Sequence, residues 1–143
     1  MTRSADLQRL VVGAHALTRI AALETASDAP AAQWRTLTIL RDNGPLRIGE
    51  LATLSRVSQP GMTRLIGAMA ESGLVERMSD AADSRATVAS ATPLGLESLD
   101  AWLDELTTAL SPHFDDLDDA DWAALARTAA ILARKTAVLE VAR

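Results

Sequence analysis

A short stretch near the middle of the chain carries polar side chains that could read the edges of bases. Gln59 has an amide that can bridge the donor and acceptor of adenine, and Arg64 has a forked guanidinium that fits guanine or a phosphate. Thr63 and Pro60 can touch thymine methyl groups or the backbone. Ser58, together with the free N–H groups of a helix start, suits a phosphate. This chemistry is that of major-groove contacts to double-stranded DNA.

A second group of charged residues follows about twenty positions later. Arg85 could extend into an adjacent minor groove or along its phosphates, and Asp83, two residues earlier, could hold that guanidinium in place. Arg77 fits a phosphate contact as well as it fits an ordinary surface charge on a strand. We therefore expect two neighbouring segments to approach the same duplex.

The local pattern predicts a helix, a tight turn and a second helix. Residues 49–56 make a helix of about two turns, which must pack against another helix to persist. Ser58 is a good N-cap, and Pro60 is tolerated in the first turn of the next helix, which runs to Ser72. The apolar residues of that helix form an inward stripe. They are Met62, Leu65, Ile66 and Met69.

A small projection follows the second helix. Gly73 is the expected helix stop, and residues 74–78 and 86–89 predict two strands. A loop over residues 79–85 joins them. The fold class expected is therefore mainly α with a small two-stranded β-wing.

The flanking segments predict long helices. Residues 4–23 show helical spacing of apolar positions, and Ser27 or Asp28 is expected to cap the helix that follows. Two leucine-rich seams then occupy the C-terminal third. They comprise Leu96, Leu99, Leu103, Leu106 and Leu110, then Trp122, Leu125, Ala129, Leu132, Thr136 and Leu139. Core packing within one subunit competes with a dimer interface here, and the amount of apolar helix outside the winged unit favours a homodimer.

The charge distribution shows where DNA could approach. The net charge is −5, but residues 35–85 carry seven arginines against six acids. Residues 94–122 carry nine acids and no Lys or Arg. The middle of the chain is therefore the only long stretch that an anionic polymer could approach without strong repulsion.

Composition argues against several other classes of function. There are no cysteines, and the two histidines, His15 and His113, lack the spacing of a metal-ligand pair. No nucleophile and base pair, phosphate-cradling glycine loop or acidic metal cluster stands in a suitable context. We therefore expect no enzyme activity, no catalytic residues, no cofactor and no metal. The absence of a leader and of a long apolar run predicts a cytoplasmic protein without membrane association.

The residues together resemble the winged helix-turn-helix of the MarR (multiple antibiotic resistance regulator) family over residues 46–95. The resemblance rests on the motifs Leu51-Ala52, Val57-Ser58, Thr63-Arg64, Gly73-Leu74-Val75, Arg77, Asp80, Asp83-x-Arg85, Thr92 and Gly95. It implies that the second helix of this pair, which follows Ser58, reads the major groove through Ser58, Gln59, Pro60, Thr63 and Arg64, and that the wing uses Asp83 and Arg85 at the minor groove. It also implies an N-terminal dimerisation helix at 1–29, a DNA-binding domain at 30–92 and C-terminal dimerisation helices at 93–143.

The resemblance also implies a pocket for a small organic effector, often aromatic, between the dimer helices and the winged unit. His15, Trp34, Arg35 and Trp102 could line it, although each also fits plain packing or a surface position. The hypothesis is a homodimeric transcriptional repressor that binds a pseudo-palindromic operator through recognition helices about 34 Å apart. The alternative is a winged-helix adaptor that contacts proteins and does not bind DNA.

Overall fold

The computed structural model describes residues 2–25 and 28–141, with side chains described as far as residue 137. Within these residues, six α-helices and three strands follow one another. The helices are α1 (Arg3–Glu24), α2 (Ala31–Asn43), α3 (Ile48–Ser55), α4 (Gln59–Glu71), α5 (Pro93–Leu110) and α6 (Asp119–Val141). The strands are β1 (Leu46–Arg47), β2 (Val75–Ser79) and β3 (Thr87–Ala91), and a short 3-10 helix spans Ser111–Phe114. In this part of the chain, no helix combines the length and apolar content that a bilayer crossing requires.

The chain divides into two compact units. One comprises Met1–Asp28 and Ala101–Leu117, and the other comprises Ala29–Asp100 and Asp118–Arg143. In the first, the ring of His113 lies with Nε2 2.7 Å from Oε1 of Glu24 at the surface. The second contains the helix-turn-helix and the sheet.

The core of the second unit forms where α2, α3 and α4 meet the sheet. Its side chains are large, apolar and almost without solvent contact, so their burial supplies most of the driving force that holds these short helices together. The fully buried ones are Leu37, Leu51, Met62, Ile66, Met69 and Leu99.

The sheet has three strands, one more than the sequence predicts. Strand β3 lies in the middle and pairs antiparallel with both β2 and β1. The β1 pairing places Leu46 opposite Ala89 and Arg47 opposite Val88. The predicted two-stranded wing is present as β2 and β3, and β1 extends it towards the start of α3. A strand of two residues has no period for sequence reasoning to detect.

Thr92, just before α5, makes three hydrogen bonds that fix the start of that helix. The backbone N–H of Thr92 donates to the carbonyl of Leu74 at 3.1 Å, and its hydroxyl donates to the carbonyl of Gly73 at 2.5 Å. The same hydroxyl accepts the N–H of Gly95 at 3.0 Å. Thr92 therefore joins the first turn of α5 to the segment that follows α4.

The expectation that Asp28 caps α2 is wrong. Pro30 is the N-cap of α2 and supplies no side-chain hydrogen bond, so Asp28 does not cap that helix, and Ser27 lies outside the described residues. Helix α6 begins at Asp119, inside the acidic run, where the carboxylate of Asp118 accepts the N–H of Asp121 at 2.8 Å. The side chain of Leu139, the last member of the predicted seam, also lies outside the described set.

Candidate nucleic-acid interface

Helix α4 divides sharply into a buried and an exposed face. Met62, Ile66 and Met69 are at most 1% exposed, as the apolar spacing predicts, and Leu65, the fourth residue of the predicted stripe, is half-buried. Gln59 and Arg64 are exposed on the remaining arc. The buried stripe therefore fixes the rotation of the helix and keeps its polar side chains in solvent.

The start of α4 has the predicted cap. Ser58 is extended and its Oγ accepts the backbone N–H of Gly61 at 3.1 Å. Pro60, in the first turn, is exposed and removes no helical hydrogen bond. The hydroxyl of Thr63 donates to the carbonyl of Gln59 at 3.0 Å, which leaves its methyl group and oxygen lone pairs to face outward.

The turn between α3 and α4 depends on a left-handed residue. Arg56 has φ 56 and ψ 42, and it is the sole non-glycine residue with positive φ in the described chain. The N–H of Val57 then reaches back to the carbonyl of Ala52 at 3.0 Å, which closes the end of α3. A long charged side chain at this position gives no sequence signal for such a turn.

Hydrogen bonds within the wing loop orient Arg85. Oδ1 of Asp83 accepts the backbone N–H of Arg85 at 3.1 Å and Nε of the same residue at 3.2 Å. These bonds, the backbone one foremost, hold the pKa of Asp83 below its ordinary value, and the positive charge of Arg47 adds to them. The Arg85 side chain is 91% exposed, so the carboxylate orients a cation that remains open to solvent.

A cleft of about 420 Å³ lies between α4 and the sheet, and it brings predicted residues together. Gln59 and Thr63 line it from the helix, Arg77 lines it from β2, and Arg85 lines it from the wing loop. Four of the eight predicted DNA-contacting residues therefore border one space. The other four do not line it. They are Ser58, Pro60, Arg64 and Asp83.

Arg47 also lines this cleft, and sequence reasoning missed it. Its guanidinium makes an ion pair with the carboxylate of Asp80, 33 positions later in the chain. The sequence shows only a short extended piece over residues 46–48 there, and the pairing of β1 with β3 is what brings Arg47 to the wing.

The residues predicted for an effector pocket occupy three different helices. His15 is exposed on α1, and Trp102 is half-buried on α5. On α2, Trp34 is buried and the neighbouring Arg35 is exposed. None of the four lines the cleft described above.

Comparison with known proteins agrees with this geometry. Residues 30–87 match the model of the MarR family. Over these residues the chain is similar to the MarR family. The repressor IacR of Pseudomonas putida is 28% identical over 88 residues, which cover 62% of this chain and 53% of IacR. Three mycobacterial HTH-type regulators, among them MT0903.1 of Mycobacterium tuberculosis, are 33% identical over 92 residues, which cover 59% of this chain and 64% of each relative. The chain therefore spans between about half and two thirds of the length of these curated relatives.

Solved structures share the fold over nearly the whole chain. A MarR-family protein from Bacillus stearothermophilus has a TM-score of 0.72 at 20% identity and covers 95% of this chain and 98% of its own. BpsR of Bordetella bronchiseptica, whose DNA binding is regulated by 6-hydroxynicotinic acid, has a TM-score of 0.60 at 20% identity and covers 92% of this chain and 93% of its own. At these identities the likeness establishes the fold that the chain shares with these proteins.

Proposed function

We propose that this protein is a sequence-specific DNA-binding transcriptional regulator, a repressor that acts as a homodimer on a pseudo-palindromic operator. The observation that carries the proposal is the exposed arc of α4 beside the wing arginine. Gln59 and Arg64 face solvent while the opposite face is buried, and Arg85 stands on the wing with its guanidinium oriented by Asp83. A helix with these side chains can enter the major groove while the wing contacts the adjacent minor groove.

Further contacts in the proposal come from the helix start and the wing. Ser58, Pro60 and Thr63 lie at the N-terminal end of α4, where free N–H groups favour a phosphate. Arg77, on β2, is exposed and borders the same cleft as Thr63. The name of the relative IacR, a transcriptional repressor, supports the direction of regulation.

Exposed apolar side chains on the long helices support the homodimer. On α1, Leu7 is 63% and Val12 is 67% exposed. On α6, Leu125, Ile131 and Leu132 are also exposed. Exposed apolar side chains on several helices of a single chain mark surfaces that a partner covers. We assign dimerisation to residues 1–29 and 93–143 and DNA binding to residues 30–92.

Release by a small organic effector completes the proposal. BpsR, which shares the fold, is regulated by an aromatic acid. The candidate contacts in this chain are His15, Trp34, Arg35 and Trp102. A thermal-shift screen of aromatic acids tests whether a ligand of this class binds. A binding compound raises the melting temperature, because it favours the folded state.

DNA binding is tested by titrating labelled genomic fragments, including the promoter of the gene itself, at several salt concentrations. The double variant Arg64→Ala plus Arg85→Ala should lose most of the affinity and flatten the salt dependence, because two phosphate or base contacts per subunit are removed. Arg41→Ala is the matched control, since Arg41 is an exposed arginine paired with Asp42 on α2. Absence of salt-sensitive binding to any fragment by the wild type would leave the adaptor as the better account.

The dimer is tested by sedimentation velocity on Val12→Glu. Placing a charge among the exposed apolar side chains of α1 should shift the protein to monomer at micromolar concentration. Ala81→Glu adds the same charge at an exposed position of the wing loop, outside the proposed dimerisation segments, and should remain dimeric. An unchanged sedimentation coefficient for Val12→Glu would exclude α1 from the interface.

A further inference from the structure

We propose that Arg47 is a further DNA-contacting residue, which together with Arg77 binds one phosphate group of the DNA backbone in the cleft between α4 and the wing. The inference rests on the proposed DNA-binding function and extends it to a strand outside the recognition helix and the wing loop. The ligand of this cleft would be a phosphodiester.

The position of the cleft supports this role. Its walls include Gln59 and Thr63 of the exposed arc of α4 and Arg85 of the wing. A backbone phosphate that entered the cleft would therefore belong to the same stretch of duplex that those residues contact. A volume of about 420 Å³ leaves room for a phosphate with part of its sugar.

The charges of the cleft favour an anion. Arg47, Arg77 and Arg85 line it against the single acid Glu50. In the described part of the chain, no carboxylate lies within 4.0 Å of Arg77. The guanidinium of Arg77 therefore faces the cleft with its charge uncompensated at close range, and it lies near Gly67, where a Cβ would be 3.9 Å from Nη1.

Arg47 is held in place by its ion pair. The Asp80 side chain is only 17% exposed, whereas that of Arg47 is 47% exposed. Asp80 binds through Nη2 of Arg47, and a guanidinium has five N–H donors in a fixed fork, so other donors remain for a phosphate. The half-buried carboxylate of Asp80 thus orients the exposed guanidinium of Arg47, as Asp83 orients that of Arg85.

The competing role for Arg47 is purely structural, in which it only ties β1 to the wing through Asp80. The two roles differ in salt dependence, because each phosphate contact that is lost lowers the slope of log K against log salt by about 0.9. A misplaced wing would also lose the contact of Arg85, so Asp80→Asn, which removes the ion pair and keeps the cation of Arg47, is measured beside Arg47→Ser. Anchoring predicts the same loss of slope in both variants, whereas a phosphate contact predicts a loss in Arg47→Ser alone, and equal losses would overturn the inference. The slope therefore separates contact from anchoring.

The experiment measures fluorescence anisotropy with a DNA fragment that the wild type binds, from 50 to 300 mM salt. Arg47→Ser removes the cation and keeps a good helix start, because Arg47 is the N-cap of α3 and serine is a preferred N-cap. Its slope should fall by about 0.9 per subunit, about 1.8 for a dimer, with equal weakening on specific and random DNA. Arg47→Lys should keep most of the slope, and Arg41→Gln should match the wild type.

A wild-type slope in Arg47→Ser would overturn the inference, whether or not the affinity falls. In that case Arg64→Ala should still weaken binding, so the proposed function would stand. Loss of salt-sensitive binding in the wild type itself would instead refute the proposed function. As a second measurement, one methylphosphonate per half-site should weaken binding by the wild type more than binding by Arg47→Ser, in which only Arg77 still contacts that phosphate, and equal effects on both proteins would also count against Arg47.

Discussion

Gly95→Ala should destabilise the winged unit severely. Gly95 lies in the first turn of α5, and a Cβ built on it would stand 2.1 Å from the carbonyl oxygen of Leu74 and 3.2 Å from Cδ2 of Leu37. The first distance is far inside the 3.0 Å that real Cβ atoms respect. The obstacle is backbone, so no change of rotamer relieves the contact.

The size of the loss in stability follows from the contacts that the added Cβ would disturb. The oxygen of Leu74 also accepts the N–H of Thr92 at 3.1 Å, and Thr92 caps α5 through the N–H of Gly95. Overpacking costs about 1–3 kcal/mol, and loosening these two hydrogen bonds costs about 1 kcal/mol each. The higher helix propensity of alanine returns about 1 kcal/mol. We expect a net loss of about 2–4 kcal/mol in the free energy of unfolding.

Urea denaturation followed by circular dichroism measures this loss, with protomer concentration held constant because dimerisation contributes to stability. Gly13→Ala is the matched control. It is the same substitution in α1, where an added Cβ meets nothing within 4 Å, and it should stabilise by up to about 1 kcal/mol. A Gly95→Ala variant as stable as the wild type would refute the close approach of α5 to Leu74.

Three further predictions concern the interface and its surroundings. Ser58→Ala should cost about 1 kcal/mol of unfolding free energy by urea denaturation, because the N–H of Gly61 loses its cap. Gly67→Ala should keep the wild-type stability or gain up to about 1 kcal/mol, since its Cβ would meet only Arg77 at ordinary contact distance; a large loss would contradict that packing. The pKa of Asp83 is lowered in the folded state, so its stabilising effect exists above the ordinary value of 3.8 and disappears as pH falls through the folded value. Acid titration should therefore show Asp83→Asn less stable than the wild type at neutral pH, with the difference vanishing at low pH, and a constant difference would refute the sign.

Most of the helical architecture could be predicted, because helix periodicity and caps are local properties of the chain. The stripe of Met62, Ile66 and Met69 fixed the face of α4, and Ser58 with Pro60 fixed its start. An interaction between Asp83 and Arg85 could also be predicted, since the two residues are two positions apart in one loop. Whether these residues contact DNA stays a prediction.

Features that depend on residues far apart in the chain could not be predicted. Strand β1 has two residues and exists only because β3 lies beside it. The ion pair of Arg47 with Asp80 follows from that pairing across 33 positions. Arg56 adopts a left-handed conformation that its side chain does not favour, because the packing of α3 on α4 requires the turn there.

The sequence by itself determined which side chains face solvent on α4 and on the wing loop, because alternation between apolar and polar positions sets the buried face of each element. Only the tertiary structure decided that the arginines of β1, β2 and the wing border one cleft. Burial of the apolar core brings distant segments together, and the charges that result from this proximity belong to no single stretch of the chain.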